Sequence, residues 1–210
     1  MANFTLIGAA AAVATFVLAA QADDDLTPAP SSSELEEAVF AGGCFWCVEA
    51  DFDKVPGVRE TISGYTGGHL ENPKYKDVTR ENTGHYEAVR VVYDPAEVSY
   101  SELVEYFWRH VDPTDAGGQF CDRGDSYRTA IFATPDQRDT AEASKAALEA
   151  SGVLSNPVVT PVLDAATFWE AEAYHQNYYR KNRLRYRYYR SACGRDARVK
   201  EVWAGERVSG

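Results

Sequence analysis

The residue whose surroundings most favour chemistry is Cys44, in the segment Ala41–Glu49 (AGGCFWCVE). A short apolar run, Ala38–Phe40, precedes it and predicts the end of a buried strand, and apolar residues at helical spacing follow it. We therefore predict a strand-to-helix turn with Cys44 at the helix N-terminus, where unpaired N–H groups and the helix dipole favour a thiolate and lower the thiol pKa. The alternative is a small buried hydrophobic residue beside two aromatic rings.

Three further cysteines accompany Cys44, at positions 47, 121 and 193. Four cysteines are too sparse for a disulfide scaffold in a chain of 210 residues. Cys44 and Cys47 form a C-x-x-C, a spacing that supports a disulfide across a helix N-terminus, as in thiol oxidoreductases. We predict no metal site, because this C-x-x-C lacks a second pair and none of the four His residues lies at a metal-ligand spacing from it.

The composition, 45% hydrophobic and 25% charged, is that of a soluble globular protein. A formal charge of −11 argues against nucleic acid as the general partner. The charge is uneven, because residues 180–200 hold nine of the 21 Lys and Arg and one of the 32 Asp and Glu. The basic, aromatic run Arg185–Arg190 has two explanations: a surface that binds an acidic partner or nucleic acid, or a helix face packed on the acidic body.

The first 35 residues differ in composition from the rest. Residues 3–20 are apolar and rich in alanine, and an Ala-x-Ala pattern typical of a cleavage site follows at Ala20–Ala22. We predict a secretory signal peptide over residues 1–22, a disordered linker over 23–35 and one compact domain over 36–210. The mature protein would then be periplasmic or secreted, with no stable membrane association. The alternative is an uncleaved N-terminal segment that anchors the protein in a membrane.

Strands and helices alternate through the remaining chain. The predicted strands end at Phe40 and span Val58–Tyr65, Glu87–Tyr93, Tyr127–Ala133 and Val158–Leu163, and the predicted helices follow Cys44, Ser99, Thr134 and about Ala165. This order predicts an α/β (α+β) fold, a two-layer sandwich with a mixed central sheet and flanking helices. Two long polar loops, residues 69–86 and 112–126, are expected on the surface beside the Cys44 turn.

Six short motifs, taken in their order and spacing, resemble the A-type peptide methionine sulfoxide reductases. The resemblance extends from about Glu37 to His175 and continues more weakly to Cys193. Each motif alone is weak, whereas six in order are highly specific. The motifs are Gly43–Trp46 (GCFW), Gly64–Gly68 (GYTGG), Asn72–Tyr75 (NPKY), Thr83–Val89 (TGHYEAV), Asp122–Arg128 (DRGDSYR) and Ala171–Gln176 (AEAYHQ).

The resemblance implies that the protein reduces methionine-S-sulfoxide, free or in proteins, to methionine, and so repairs oxidatively damaged proteins. Cys44 corresponds to the family's nucleophile, and Glu87 to the acid that protonates the sulfoxide oxygen. The other matched side chains would surround the substrate: Phe45 and Trp46 as the aromatic wall for the S-methyl group, Tyr75 and Tyr127 as hydroxyls that bind the oxygen, and Asp122 as a supporting carboxylate.

Attack on the sulfoxide leaves Cys44 as a sulfenic acid, which condenses with a second thiol to form an intramolecular disulfide. The family usually keeps this resolving cysteine on its C-terminal tail, which favours Cys193. Cys47 stands where many members have glycine and is the alternative, while Cys121 is a third candidate, for which we favour a reduced thiol lining the pocket. We also expect a monomer that needs no cofactor and is re-reduced by a thioredoxin-like dithiol.

This chemistry sets a requirement on Glu87. A sulfoxide sulfur is open to attack only when its oxygen is protonated or nearly so, since hydroxide leaves more easily than oxide. Glu87 must therefore hold a proton near neutral pH, which needs burial to raise its pKa. Glu87 shares one face of an alternating strand with Val89 and Val91, which predicts burial. The alternative is an exposed carboxylate at the strand end.

A rival function uses the C-x-x-C directly, in a thioredoxin-like thiol–disulfide oxidoreductase. That function would not need Glu87, Tyr75 and Tyr127 at their positions, and reduction of methionine sulfoxide by a Cys47→Ser variant would reject it. His85 and His175 are expected to orient loops by hydrogen bonds rather than to bind metal.

Overall fold

The structure is a computed structural model that describes residues 1–3, 34–80 and 82–204. The chain divides into two compact units, residues 1–32 and 33–210, and the second carries all the elements described below. The predicted signal peptide and linker lie outside the described residues, apart from residues 1–3, 34 and 35. Among the described helices, none combines the length and the apolar character needed to cross a membrane.

Alternating apolar residues build one mixed sheet. Its strands are β1 (Glu36–Gly42), β2 (Val58–Thr66), β3 (Tyr86–Tyr93), β6 (Thr129–Ala133), β7 (Val162–Asp164) and β8 (Trp169–Glu170), while β4 (Gly118–Gln119) and β5 (Asp122–Arg123) pair separately. The order is β7-β6-β1-β3-β2-β8, antiparallel except between β6 and β7, which confirms the predicted mixed sheet. Along β3, Val89 and Val91 join the main core, whereas Ala88 joins a smaller cluster, as the two-residue period requires.

Helices flank the sheet and fix the Cys44 turn to it. They are α1 (Phe45–Phe52), α2 (Tyr75–Val78), α3 (Tyr100–Trp108), α4 (Pro135–Ser151), α5 (Tyr178–Lys181), α6 (Arg183–Cys193) and α7 (Arg195–Val202). Phe40 of β1 stacks on Phe52 of α1 and Phe107 of α3, with ring centroids 4.9 and 5.2 Å apart. The predicted cap at Ser99 is confirmed, because its Oγ accepts a hydrogen bond from the Glu102 N–H.

Two predicted elements near the C-terminal part of the domain have wrong bounds. The strand predicted over Val158–Leu163 begins only at Val162, since Pro161 has no N–H to offer a ladder. The helix predicted from about Ala165 begins only at Tyr178, and β8 occupies part of the interval. Strand β8 pairs with β2 at Gly64, where a Cβ would lie 2.4 Å from the Phe168 ring. Tertiary packing against a bare glycine therefore overrides helix propensity in this segment.

Candidate active site

A strand-to-helix turn presents Cys44, as predicted. Cys44 caps the N-terminus of α1, and its carbonyl accepts a hydrogen bond from the Cys47 N–H at 3.0 Å. Gly43 adopts φ +82°, and a Cβ there would lie 2.6 Å from the Cβ of Gln119. A side chain at this position would therefore be strained and would collide with the 112–126 loop, which lies beside the turn as expected.

The two thiols of the C-x-x-C are buried and share a hydrogen bond, with Cys44 7% and Cys47 2% exposed. Burial raises the pKa of Cys44 well above its ordinary value, and the hydrogen bond with Cys47 raises it further. The same bond from Cys44 lowers the pKa of Cys47 to about 7. The predicted lowering of the Cys44 pKa is therefore wrong for this structure, because desolvation outweighs the helix dipole, and Cys47 is the thiol of the pair that ionises first.

Glu87 brings a buried carboxyl group to the turn. It is 1% exposed, and its Oε2 accepts a hydrogen bond from the Phe45 N–H at 3.1 Å. Burial raises its pKa to about 8, so the carboxyl group holds a proton at neutral pH. The predicted burial is confirmed, and the exposed strand-end carboxylate is wrong. A protonated carboxyl group at this place can act as a general acid toward an oxygen bound beside Cys44.

Two tyrosines lie near Glu87, one inside the first long loop and one directly after the second. Tyr75 opens α2, which lies inside the loop predicted over residues 69–86, and Tyr127 ends a short 3₁₀ turn in the region of the second loop. Their hydroxyls hydrogen-bond to each other, and burial raises the pKa of both. The Tyr75 N–H donates to Glu172 Oε1 at 3.1 Å, which fixes the start of α2. Each hydroxyl carries one proton, so both can donate to one oxygen near Glu87 when that oxygen replaces the hydrogen bond between them.

Aromatic rings surround the turn on another side. The Phe45 ring lies 4.9 Å from the His175 ring, and the Trp46 ring stacks on Tyr178 at 3.7 Å. Trp46 Nε1 donates to His175 Nδ1 at 3.0 Å, so His175 orients Trp46, and His85 bonds to the backbone of the neighbouring loop. The prediction that His85 orients a loop by hydrogen bonds is confirmed, whereas His175 forms its hydrogen bond with a side chain of α1. An uncharged aromatic surface of this kind suits an apolar group such as a methyl.

Tyr189 belongs to the same cluster, and our sequence analysis missed it. Its hydroxyl donates to Asp122 Oδ2 and hydrogen-bonds to Cys44, which lowers the Cys44 pKa against the larger effect of burial. Burial also raises the pKa of Asp122. The sequence presents the run around Tyr189 as a basic, aromatic surface or a packed helix face, not as part of the site. The available signal was the i, i+3 spacing of Tyr186 and Tyr189, which puts both rings on the inner face of α6.

The basic tail packs on an acidic residue of α1. Arg190 Nη1 lies 2.9 Å from Asp51 Oδ1, and Arg195 Nε lies 3.7 Å from Asp51 Oδ2. Although burial opposes ionisation of Asp51, Arg195 and Arg190 hold its pKa below its usual range. Arg195 also donates to the Gly42 carbonyl at 3.0 Å, at the end of β1. For Arg190, the second explanation of the basic run, a helix face packed on the acidic body, is the one observed.

Cys121 and Cys193 form a disulfide, with an S–S distance of 2.07 Å. The prediction of a reduced Cys121 lining the pocket is wrong, because its loop meets the end of α6 and brings it against Cys193. Cys193, the favoured partner of Cys44, is joined to Cys121 instead, and Cys44 and Cys47 are free. The Cys193 Sγ lies 3.9 Å from Asp122 Oδ2, so the disulfide borders the cluster described above.

Within the part of the chain that the structure describes, one cluster has metal-ligand character. It consists of Cys121, Asp122 and Cys193, whose ligand atoms all lie within 4.8 Å of one another. The disulfide occupies both sulfurs, which leaves a single carboxylate as an anionic ligand. This donor set does not fit a resident metal ion.

The chain matches the peptide methionine sulfoxide reductase family over residues 36–207. It is 57% identical over 178 residues to peptide methionine sulfoxide reductase MsrA 2 of Caulobacter vibrioides, which covers 85% of this chain and 90% of the relative. It is 51% identical over 176 residues to the MsrA of Bacillus subtilis, which covers 83% and 99%. Among solved structures, methionine sulfoxide reductase A of Corynebacterium diphtheriae is 35% identical, with a TM-score of 0.63 and coverage of 71% of this chain and 76% of that chain.

Proposed function

The chain belongs to the peptide methionine sulfoxide reductase family, and from this membership we propose how its residues carry out the reaction. The protein is a peptide-methionine (S)-S-oxide reductase, which reduces methionine-S-sulfoxide with thiols and without a prosthetic cofactor. The observation that carries our assignment of residues is the Glu87 carboxyl group, which has a pKa of about 8 and is hydrogen-bonded to the residue after Cys44.

The surroundings of Cys44 support one orientation of the substrate. The S-methyl group packs against Phe45 and Trp46, since these rings offer an uncharged surface. The sulfoxide oxygen accepts hydrogen bonds from the hydroxyls of Tyr75 and Tyr127, which burial keeps neutral. The sulfur then faces Cys44, and Asp122 supports the arrangement through the Tyr189 hydroxyl.

The reaction begins with loss of the Cys44 proton and ends with a sulfenic acid. Because the Cys44 thiol donates a hydrogen bond to Cys47, the Cys47 sulfur is placed to accept that proton. Cys44 attacks the substrate sulfur while Glu87 gives its proton to the oxygen. This attack forms a bond between the Cys44 sulfur and the substrate sulfur. The protonated oxygen then moves to the Cys44 sulfur as the S–O bond and the new S–S bond break, so that the substrate sulfur gains two electrons, methionine leaves, and Cys44 remains as S–OH.

Cys47 is the resolving thiol that the geometry favours. It hydrogen-bonds to Cys44, whereas Cys193, which the family pattern favours and which stays the alternative, is joined to Cys121. Attack of Cys47 on the sulfenic sulfur forms a Cys44–Cys47 disulfide and releases water. A thioredoxin-like dithiol then returns two electrons to the protein.

Our proposal keeps the division into a signal peptide over residues 1–22, a linker over 23–35 and a catalytic domain over 36–210. The apolar segment with its Ala-x-Ala ending supports export, and the mature protein would act as a monomer in the periplasm or outside the cell, without stable membrane association. The N-terminal sequence of the mature protein tests this proposal. A chain that begins at Asp23 supports it, and one that retains residues 3–20 supports a membrane anchor.

The test of the catalytic proposal uses the two sulfur epimers of free methionine sulfoxide, each with the full chain and dithiothreitol. We expect methionine from the S epimer and none from the R epimer. Cys44→Ser should give none from either. Equal turnover of both epimers, or turnover of the S epimer by Cys44→Ser, would contradict the assignment of Cys44.

The hydrogen-bonded pair of free thiols also favours the rival function, disulfide exchange by the C-x-x-C alone. Cys47→Ser separates the two functions, because the first turnover of a reductase needs Cys44 as its only nucleophile, whereas disulfide exchange by the C-x-x-C needs both sulfurs. Methionine from the S epimer without added reductant supports the reductase. No methionine from this variant, with disulfide exchange retained by the wild type on a protein disulfide, supports the rival.

A further inference from the structure

A basic groove follows one side of α6. An open cavity of about 490 Å³ lies between α5 and α6, and a second cavity of about 430 Å³ continues from it along α6. Tyr186 and Arg187 line both cavities, so the two form one groove, which we call the α6 groove. Neither Cys44 nor Glu87 lines it, and the proposed reaction does not use it.

The sequence of α6 explains why this groove is both basic and aromatic. Arg183, Arg187 and Arg190 recur at i, i+4 and i+7, so one face of the helix carries all three. Tyr186 lies on the same face, is 7% exposed and forms the floor of the groove, with its ring centre 5.9 Å from that of Tyr179. The α6 groove therefore has an aromatic floor with a row of arginines beside it.

Two of the arginines at the α5 end of the groove lack a carboxylate partner. Arg180 Nη2 lies 2.8 Å from Asp53 Oδ2. Arg183 and Arg187 are exposed and form no ion pair with any described residue. The guanidinium group binds carboxylates through paired, charge-assisted hydrogen bonds. The groove therefore fits a ligand that carries carboxylate groups.

The helices that form the α6 groove also border the reacting thiol. On α5, Tyr178 stacks on Trp46, and the next residue, Tyr179, lines the groove. On α6, the Tyr189 hydroxyl hydrogen-bonds to Cys44. Both helices therefore extend from the substrate site to the groove.

The distance from the groove to the site matches a short stretch of polypeptide. Arg183 precedes Tyr189 on α6 by six residues, which correspond to about 9 Å along the helix axis. A helix with its side chains is about 10 Å wide, so the two separations combine to about 13 Å. About four extended residues span that distance. A methionine sulfoxide bound at Cys44 therefore brings residues about three to six positions away to the α6 groove.

We propose that the α6 groove is a specificity site for protein substrates, in which Arg183 and Arg187 bind Asp or Glu side chains about three to six residues from the methionine sulfoxide. The proposal rests on the reductase function described above. The ligand is an acidic, extended segment of an oxidised protein. Free methionine sulfoxide is too short to reach the groove from Cys44.

A nucleic acid is the other polyanion that such a surface attracts, since arginine and tyrosine bind phosphates and stack on bases. The formal charge of −11 on the chain repels it. The observations favour the peptide, because Tyr178 and Tyr189 connect the groove to the place where the methionine sulfoxide of a protein substrate is held.

Two peptides that differ in charge test the proposal. Each carries one methionine-S-sulfoxide residue, with Glu three to six positions away on both sides in the acidic peptide and Gln at those positions in the neutral one. Turnover is measured with the full chain and dithiothreitol, and the ratio of the two kcat/KM values is compared between proteins. Arg183→Gln/Arg187→Gln should lower the acidic-to-neutral ratio by about 2- to 30-fold, the range for two exposed ion pairs.

The same measurement separates this proposal from the reductase function. Turnover of the neutral peptide by the double variant shows that it folds. The wild-type ratio should approach that of the double variant as salt is raised, because exposed charges are screened. An equal ratio in wild type and double variant at low salt would overturn the groove as a specificity site. No turnover of either peptide by the wild type would instead overturn the reductase function.

A matched control is Arg185→Gln, which removes the same charge from the same helix. Arg185 is exposed, but it lines neither cavity. It should change the ratio less than either Arg183→Gln or Arg187→Gln. Equal effects of all three would mean that the ratio reports net charge, which would overturn the proposal. Binding of a single-stranded DNA oligonucleotide that the double variant loses, with an unchanged peptide ratio, would also overturn it and assign the groove to nucleic acid.

Discussion

Cys44 and Cys121 lie at the ends of the same chain of contacts, yet their surroundings are opposite. Cys44 begins a helix whose far end is packed into the core through Phe52, and it is almost fully buried. Cys121 lies on an exposed loop between two short strands and is joined to the end of α6. Cys44 is therefore held by packing against the sheet, and Cys121 by its disulfide with the tail.

The difference follows from two incompatible requirements. The carboxyl group of Glu87, the proposed general acid, keeps its proton at neutral pH only where water is excluded, and exclusion of water also excludes a protein partner. Exchange with an external dithiol needs an exposed sulfur. One pair of cysteines cannot meet both requirements well. The molecule has a second pair, and the ionic cluster around Asp51 holds the tail that carries Cys193 against α1.

Loss of the inner nucleophile should have the largest effect. Cys44→Ser is expected to abolish methionine formation with any reductant, because a hydroxyl at this place is not ionised and cannot be oxidised to a sulfenic acid. Cys121→Ser should still complete a first turnover, since its sulfur takes no part in that step. Each reduced variant is mixed with the S epimer, and the amount of methionine formed is compared between Cys44→Ser and Cys121→Ser. Residual catalytic turnover in Cys44→Ser would place the nucleophile elsewhere.

Glu87→Gln should reduce kcat/KM by about 10²–10⁴-fold, the range for removal of a general acid. The wild-type profile should fall as pH rises above about 8, because the Glu87 carboxyl must be protonated to donate and its pKa is about 8. This alkaline limb should be absent from Glu87→Gln. The measurement is kcat/KM for the S epimer between about pH 6 and 10, a range set around that pKa.

A matched control for that profile is Glu49→Gln. Glu49 is also buried, and burial raises its pKa to about 7, but it lies on α1 and its Oε1 accepts a hydrogen bond from the Asn177 N–H. The variant should keep the alkaline limb at its wild-type midpoint. If the alkaline limb disappeared in Glu49→Gln and persisted in Glu87→Gln, the general acid would be Glu49 and not Glu87.

The inner region, meaning Cys44, Glu87 and the elements that hold them, was largely predictable from the sequence, because its signals are local. Gly43 before Cys44 predicts a turn, alternation around Val89 predicts a buried face for Glu87, and the capping box at Ser99 predicts a helix start. Each signal depends on neighbours a few residues away. The resemblance then supplied the roles of residues that are far apart in sequence, such as Tyr75 and Tyr127.

The outer region, meaning Cys121, Cys193 and the basic tail, was not predictable, since its contacts join residues that are distant in sequence. Nothing near Cys121 in sequence indicates Cys193, which lies 72 residues away. Charge counts marked the tail as basic but could not show that Arg190 pairs with a buried Asp51 on α1. The raised pKa of Cys44 was missed for a related reason, because burial is a property of the whole fold and the helix dipole is a local one.

Substitution of Asp51 removes the ion pairs that hold the tail against α1. Asp51→Asn leaves Arg190 and Arg195 without their buried partner, and such a loss costs about 3–5 kcal/mol of the free energy of unfolding. Since the Asp51 pKa is held below its usual range, this stability is present above the usual Asp pKa and is lost as pH falls through the lowered value. Urea unfolding of wild type and variant at neutral and acid pH measures the difference, which should shrink on acidification.

The control for that prediction is Asp196→Asn. Asp196 also pairs with Arg190, but its side chain is 69% exposed, so its loss should cost less than about 1 kcal/mol. Equal losses from the two substitutions would mean that the tail is held by surface charge rather than by the buried cluster.

The smallest predicted effect concerns the Tyr189 hydroxyl, which lies between Cys44 and Asp122. Tyr189→Phe removes a hydrogen bond that lowers the Cys44 pKa, so that pKa should rise further and the thiol should alkylate more slowly at neutral pH. One hydrogen bond is worth about 0.5–1.5 kcal/mol, which corresponds to about a 2- to 12-fold loss of rate. The control is Tyr188→Phe on the same helix, where the side chain is exposed and no change is expected. The rate of iodoacetamide labelling of Cys44 against pH measures both variants. Because Phe keeps the ring packed against Trp46, a loss far above this range would show that Tyr189 holds Asp122 and Cys44 in register as well as tuning the thiol.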